Sequence, residues 1–453
     1  MRTGLYGISL NIIQKGYRKQ WMSKKNEIHS FKEKGWIELD NAAKLFPAII
    51  SRDLTSVFRI TAILKQPVRY SALREAVAIT SERFPYFNVS LGSGLFWHYL
   101  EFTGKPPRIQ VEEDIPCTAF AVGRKDEPLY RIIVRSNRIS VEFIHILTDG
   151  GGALEYLRSL LYTYLTLYGN RINSPGDIML PESQLSEEEY EDSYSRFFRK
   201  LPPPAKSDKA WHLPFSLNER PRLRVLHAEM KVSELLNLSR RYNVSITEYF
   251  VAVYFYSLQR IFMSDIENSK KKRKVLRIEL PVNMRNKCAS RTMRNFSLFV
   301  LPEIDLRLGN YTFEEILTSV YHQLRISSEV KQISRFLSKN VSYERLFFIR
   351  ILPLFVKKLA IAAIYRGFAS KRFTGIVTNL GKVNLPEEMA SMVNDFEIIA
   401  PPPNPKIKVC AAIVSYMDKL RISFSNITKT NELERLILRH YVEAGVNVKI
   451  LNL

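Results

Sequence analysis

The chain has 453 residues, of which 46% are hydrophobic and 25% charged, as expected for a globular protein with a large core. It carries 67 Lys and Arg residues against 45 Asp and Glu, a formal net charge of +22, which indicates either an anionic partner or a solvated basic surface. The sequence argues against nucleic acid as that partner, because it has no zinc-finger spacing, no RNP-type sequence and no basic region followed by heptads.

The three cysteines, Cys117, Cys288 and Cys410, are widely spaced and form no CxxC motif. This pattern argues against a disulfide framework and against a zinc site, and it fits a reducing compartment. The N-terminal sequence has no adequate apolar segment or cleavage site for a signal peptide. We therefore predict a cytoplasmic protein with no bound metal or cofactor.

The basic and weakly patterned residues 1–40 are interpreted as an N-terminal extension. "FRITAIL" from Phe58 alternates like a strand that ends before Pro67, and "RYSALREAVAITSERFP" has the spacing of a helix that stops at Pro85. These elements open a predicted N-terminal unit, residues 41–181.

"YRIIVRSNRISVEFIHI" predicts a β-hairpin around Ser136, and its second strand leads directly to His145. Leucines at helical spacing follow from Leu154 to Leu165, and Gly169 ends that predicted helix.

Residues 182–222 pass from an acidic cluster through a basic patch to three prolines, and we interpret them as a solvated linker. Residues 223–453 form the predicted C-terminal unit, with a capping box from Ser245 to Glu248 and a second hairpin in "IKVCAAIVSYMDKLRISFSN". The alternation of strands, helices and hairpins predicts a mixed α/β fold.

An apolar segment, "LFFIRILPLFVKKLAIAAIYRGF" from Leu346, is interrupted by charges and is too polar to cross a bilayer. We interpret it as a core helix with charged ends. The alternative is a cationic amphipathic helix lying on an anionic membrane surface.

The stretch "HILTDGGG" contains the candidate site. His145 at a strand end is suited to act as a general base, and Asp149 is suited to cap the following helix or to pair with an arginine. The glycines from Gly150 onward are expected to allow positive φ angles. The alternative is a buried histidine beside an ordinary helix N-terminal turn.

"HILTDG" resembles the H-x-x-x-D-G signature of the superfamily of CoA-dependent acyltransferases, which includes chloramphenicol acetyltransferase, condensation domains and alcohol acetyltransferases. "FRITAIL", "LREAVAITSERFP", "LPVNMR" and "VTNLGKVNLP" are similar to segments of that superfamily in the same order. The resemblance covers about residues 36–453.

The resemblance implies two chloramphenicol-acetyltransferase-like α/β halves that form a V around a channel. It implies that His145 is the general base and that Asp149 has a structural role, with Arg285 or Arg59 as its partner. Further residues implied at the site are Gly150 of the motif and, lining the channel near the oxyanion, Asn379 and Thr378.

Acyl-CoA is the implied co-substrate and a small alcohol or amine the implied acceptor, with a carrier protein in trans as an alternative donor. Ile144 replaces the first of the two adjacent histidines common in condensation domains, which favours the alcohol acetyltransferase branch. Two alternatives stay open: a non-catalytic binding protein with this fold, and an acyltransferase at the membrane periphery that acts on a lipid-like acceptor.

Overall fold

The computed structural model describes residues 35–112, 115–124, 126–264, 273–367 and 371–451, so most of the predicted extension lies outside the described residues. The strands, numbered in chain order, are β1 (Trp36–Glu38), β2 (Val57–Leu64), β3 (Val89–Ser93), β4 (His98–Phe102), β5 (Arg108–Val111), β6 (Tyr130–Arg135), β7 (Arg138–Ile144), β8 (Arg224–Lys231), β9 (Val275–Asn283), β10 (Ser297–Val300), β11 (Glu303–Asp305), β12 (Gly375–Val383), β13 (Val393–Ile399), β14 (Val409–Tyr416), β15 (Lys419–Asn426) and β16 (Lys449–Leu451). The α-helices are α1 (Phe46–Ile49), α2 (Tyr70–Arg83), α3 (Gly150–Tyr168), α4 (Ser193–Arg196), α5 (Val232–Arg241), α6 (Ile246–Ser264), α7 (Phe313–Ser327), α8 (Val330–Arg345), α9 (Phe347–Ile351), α10 (Leu354–Gly367), α11 (Glu387–Ala390) and α12 (Glu432–Glu443).

A five-stranded sheet in the order β13-β2-β7-β6-β5 forms the framework of the first half. The predicted hairpin is present as β6 and β7, which pair antiparallel from Tyr130 opposite Phe143 to Arg135 opposite Arg138. All eight residues of β2 are buried because side chains are covered on both faces of the sheet. Helix α3 packs against β2 and β7, and Gly169 ends it with a left-handed φ of 108°.

A second, larger sheet runs in the order β10-β9-β12-β14-β15-β8-β16, with β11 on β9. Strand β12 lies parallel to both β9 and β14, whereas β14 and β15 form the predicted second hairpin. A three-stranded sheet, β1-β4-β3, completes the mixed α/β fold, and the predicted fold class is confirmed.

One strand of the first sheet comes from the predicted C-terminal unit. Strand β13 belongs to the predicted C-terminal unit in sequence, yet it pairs antiparallel with β2 of the first sheet. The first sheet therefore contains strands from both predicted units.

One member of the acidic cluster in the predicted linker, Glu189, is buried and not solvated. Glu189 is 4% exposed, and its carboxylate accepts hydrogen bonds from Arg83 Nη1 and Nη2 at 2.8 and 2.9 Å and from the hydroxyl of Tyr86 at 2.9 Å. The neighbouring backbone is also engaged, because the carbonyl of Glu189 accepts from the N–H of Met293. This contact ties the segment to the second half of the chain.

The interpretation of the apolar segment as a core helix is wrong. It forms α9 and α10, in which Phe347, Phe348 and Phe355 are 67%, 78% and 68% exposed. Lys357, by contrast, is 4% exposed. In the part of the chain that the structure describes, no helix is long and apolar enough to span a bilayer.

Candidate active site

His145 lies immediately after β7, at the start of a tight turn into α3. Its backbone N–H donates to the carbonyl of Ser56 at 2.9 Å, which extends the pairing of β7 with β2 by one residue. The N–H of Leu147 then donates to the carbonyl of Ile144 at 2.9 Å and closes the turn. Strand β7 and helix α3, which flank His145, are both largely buried. The hydrogen bond to Ser56 therefore holds the backbone of His145 at the end of the sheet.

Two aromatic rings flank the imidazole. The ring of Phe46 stacks on it at a centroid distance of 5.3 Å and an interplanar angle of 13°, and Phe58 lies 4.6 Å away. Burial lowers the pKa of His145, although the charge of Asp149 and nearby hydrogen bonds oppose this shift. The residue as a whole is partly exposed, and the lowered pKa favours the neutral imidazole near pH 7.

Asp149 is the N-cap of α3. Its Oδ1 accepts from the N–H groups of Gly151 and Gly152 at 3.1 and 3.3 Å. Its Oδ2 accepts from the N–H of Phe296 at 2.9 Å and from Arg285 Nη1 at 3.0 Å. Burial alone would raise the pKa of Asp149, but the charge and hydrogen bonds of Arg285 hold it below its usual value. The carboxylate is therefore ionised and fully engaged.

Arg285 connects Asp149 to a loop of the second half. Its Nε donates to the carbonyl of Thr292 at 2.6 Å, and its Nη2 donates to the carbonyl of Arg294. These contacts hold the loop that carries Phe296 against Asp149. The hydrogen bonds of Asp149 thus join the start of α3 to Arg285 and Phe296, and none of them goes to His145.

Close approach of the backbone requires a glycine at position 152 of the motif. A Cβ on Gly152 would lie 2.1 Å from the carbonyl oxygen of Met293 and 2.2 Å from Thr148 Oγ1. A Cβ on Gly150 would lie 3.1 Å from Leu380 Cδ1, which brings β12 to the motif. None of the three motif glycines has a positive φ, so the expectation of left-handed conformations is wrong.

Two residues that the sequence analysis did not single out support the backbone of His145. The Nδ2 of Asn295 donates to the carbonyl of His145 at 2.9 Å and to Asp40 Oδ2 at 3.1 Å. Asp40 is fully buried, and its Oδ1 accepts from the N–H of Ala43 at 2.8 Å. Burial raises the pKa of Asp40 to about 6, against the opposing charge of Arg294. Through Asn295, Asp40 therefore connects Ala43, three residues before the flanking ring of Phe46, to the backbone of the candidate base.

Arg59 does not pair with Asp149. It lies opposite Glu142 across the β2–β7 pair, and its Nε donates to the carboxylate of Glu142 at 2.8 Å. A second carboxylate, that of Glu112, accepts from its Nη1. Cross-strand neighbours on one face of a sheet are the closest partners, so Arg59 satisfies its charge within the first sheet.

The two channel candidates lie on β12, before a register shift. Both polar atoms of Asn379 are engaged, since its Nδ2 donates to Thr247 Oγ1 at 2.8 Å and its Oδ1 accepts from the N–H of Gly381 at 2.8 Å. Thr378 is partly exposed and pairs with Ala412 of β14. The neighbouring Leu380 lies beside the motif, since its Cδ1 would be 3.1 Å from a Cβ on Gly150.

A groove of about 720 Å³ lies elsewhere, between residues 36–38 and 187–196, and neither His145 nor Asp149 lines it. Five carboxylates and two arginines form its charged lining, and this negative balance is unsuited to the phosphates of CoA. Within the described ranges, no group of three or more His, Cys, Asp or Glu side chains is placed to hold a metal ion.

No protein-family model matches the sequence, and no curated protein sequence matches it. The fold is similar to that of TRI101 from Fusarium sporotrichioides in complex with coenzyme A and T-2, at 13% identity and a TM-score of 0.58, over 92% of this chain and 100% of that one. TRI3 trichothecene 15-O-acetyltransferase from the same organism is similar at 11% identity and a TM-score of 0.56, over 89% and 93% of the two chains. The condensation domain of the Monacolin K polyketide synthase MokA is similar at 12% identity and a TM-score of 0.53, over 90% and 97%. The chain thus has the mixed α/β fold found in CoA-dependent acyltransferases and condensation domains.

Proposed function

We propose that the protein is an acyltransferase that moves an acyl group from acyl-CoA to the hydroxyl of an alcohol, with His145 as general base. The observation that carries the proposal is the placement of a partly exposed histidine with a lowered pKa at the end of β7, where its N–H donates to Ser56 and its carbonyl accepts from Asn295. The fold shared with TRI101, whose structure contains coenzyme A, and with the acetyltransferase TRI3 supports it.

In the proposed reaction, an imidazole nitrogen of His145 takes the proton of the acceptor hydroxyl as the oxygen attacks the thioester carbonyl. The new C–O bond forms and the C–S bond then breaks. The leaving thiolate takes the proton back from the imidazolium, so the histidine returns to its neutral form. A histidine whose pKa is lowered is suited to both steps near neutral pH.

Asp149 has a structural role in this proposal. A relay aspartate must orient the imidazole by a hydrogen bond. Here the contacts of the carboxylate go to Arg285, Phe296 and the start of α3. We infer that Asp149 holds the turn and the loop of the second half in place.

The oxyanion donor is proposed among Thr378 and Asn379 of β12. Asn379 would have to release its hydrogen bond to Thr247 to donate to the reacting carbonyl. Thr378 is partly exposed and is therefore the better candidate.

The test is release of free thiol from acyl-CoA in the presence of a panel of alcohols and amines. His145→Ala should lower turnover roughly 10²- to 10⁴-fold, the usual contribution of a positioned base. His322→Ala is the matched control, because His322 is an exposed histidine on α7. Equal turnover in both variants would refute the role of His145, and absence of thiol release by folded wild-type protein across the panel would favour the non-catalytic alternative.

A further inference from the structure

The surface formed by α9, α10 and the tip of the β3–β4 hairpin carries a concentration of exposed apolar side chains. Nine of the 23 exposed large hydrophobic residues in the described chain lie between positions 343 and 364. We define the apolar patch as the following ten residues: Leu95, Phe96, Leu346, Phe347, Phe348, Ile349, Ile351, Phe355, Leu359 and Ile364. Soluble domains rarely leave so many large apolar groups together in water, which indicates an interaction surface.

The patch is held in a defined orientation. The N–H of Leu354 donates to the carbonyl of Leu95 at 2.9 Å, which joins α10 to the hairpin tip. The Nζ of Lys357 donates to the carbonyl of Phe96 at 2.9 Å and lies 3.5 Å from the ring centroid of Trp97. The one lysine of α10 that is buried thus anchors the helix from below, while the phenylalanines point outward.

The exposed face of α10 is apolar along its length. Its exposed positions are Phe355, Leu359, Ala360, Ala363 and Ile364, a spacing that puts all five on one side of the helix. This arrangement is typical of a helix that lies in an interface with its apolar side buried in the partner.

The charge around the patch is strongly positive. Residues 330–372 contain ten Lys and Arg and a single acidic residue, Glu344. That carboxylate is already paired with the ammonium of Lys44. Arg345 and Arg350, which border the first helical turns of the patch, are exposed. A partner must therefore combine an apolar interior with negative charge at its surface.

We infer that the apolar patch is the site at which the protein docks onto an anionic lipid surface. The phenylalanine and leucine side chains enter the acyl–headgroup boundary, and Arg345 and Arg350 contact the anionic headgroups. A second copy of the chain fits less well, because face-to-face contact would bring the exposed Arg345 and Arg350 of one copy towards the same two arginines of the other.

Docking in this orientation sets the candidate active site beside the lipid surface. Helix α10 packs against α1, and the ring of Phe46 in α1 stacks on His145. This inference concerns binding and stands independently of the proposed acyl transfer.

The experiment is co-sedimentation of the full chain with vesicles of phosphatidylcholine alone and with about 30% phosphatidylglycerol. We expect binding to the anionic vesicles that weakens as salt is raised, and little binding to the neutral ones. The double variant Phe347→Ser/Phe348→Ser should bind roughly tenfold more weakly or worse, since two inserted rings are lost. Leu308→Ser is the matched control, because Leu308 is 81% exposed but lies outside the patch.

The electrostatic part is tested separately. Arg350→Glu should weaken binding about tenfold, because it reverses a charge at the headgroups. Arg240→Glu is its matched control, as Arg240 is exposed on α5. His145→Ala should bind as well as the wild type, so that a failure of the catalytic proposal is distinguishable from a failure of this one.

Three results would overturn the inference. The first is no binding of the wild type to anionic vesicles at low salt. The second is equal binding by the Phe347→Ser/Phe348→Ser variant and the Leu308→Ser control. The third is a concentration-dependent dimer in sedimentation velocity that the double variant abolishes, without vesicle binding, which would assign the patch to a second copy of the chain.

Discussion

Replacement of Asp149 by asparagine removes one charge while conserving the shape of the side chain. In the native site, Oδ1 accepts from the N–H groups of Gly151 and Gly152, and Oδ2 accepts from Phe296 and Arg285. An asparagine has a single acceptor oxygen. In either orientation of the amide, its NH₂ group therefore faces N–H donors that have lost their acceptor.

The magnitude follows from these contacts. Asp149 and Arg285 are both largely buried, with side chains 8% and 12% exposed. Removal of one partner of a buried pair costs about 3–5 kcal/mol, because the remaining charge is left uncompensated. We therefore expect the free energy of unfolding to fall by about 3–5 kcal/mol.

The assay is urea unfolding followed by far-UV circular dichroism, in parallel with thiol release from acyl-CoA. Asp177→Asn is the matched control, since Asp177 also pairs with an arginine, Arg158, but its side chain is 81% exposed. The control should lose at most about 1 kcal/mol, as is usual for an exposed pair. An Asp149→Asn protein as stable as this control, with turnover lowered as far as in His145→Ala, would refute the structural role and favour a relay.

Two further outcomes are expected. Gly152→Ala should destabilise the protein by about 1–3 kcal/mol in thermal unfolding, since the new Cβ would lie 2.1 Å from the Met293 carbonyl. The control Gly367→Ala should be neutral or stabilising in that measurement, because nothing lies within 4 Å of its Cβ. Equal effects of the two substitutions would contradict the packing argument. In a pH–rate profile, the acid limb of kcat/KM should have its midpoint below pH 6.5. Burial lowers the pKa of His145, and only the neutral imidazole accepts a proton. A midpoint above pH 6.5 would show that another group controls the reaction.

Local pattern was sufficient for the parts of the fold that depend on near neighbours. The β6–β7 hairpin follows from alternation around Ser136, and the capping box of Ser245 and Glu248 is present with both of its hydrogen bonds. Sequence spacing could not find Asp40 and Asn295, which are 255 positions apart and meet only in the folded chain.

Two expectations about solvent exposure were wrong because exposure depends on residues that are distant in the sequence. Composition suggested solvent exposure for Glu189, but Arg83, more than 100 positions earlier, is brought next to it. Hydropathy suggested burial for α9 and α10, although their apolar residues face outward while Lys357 is covered by the β3–β4 hairpin. A hydropathy pattern records how apolar a face is but does not identify what covers it.

The pairing of β13 with β2 has a consequence for the order in which the protein matures. Val393 is the partner of Leu64, so one edge of β2 has no neighbour until roughly 330 more residues have left the ribosome. At about 5–20 residues per second, that interval lasts tens of seconds. An apolar strand with an open edge invites pairing with other chains. The first sheet is thus completed only near the end of synthesis. During that interval the open edge of β2 must be covered by another segment of the nascent chain or by a chaperone to avoid pairing with other chains.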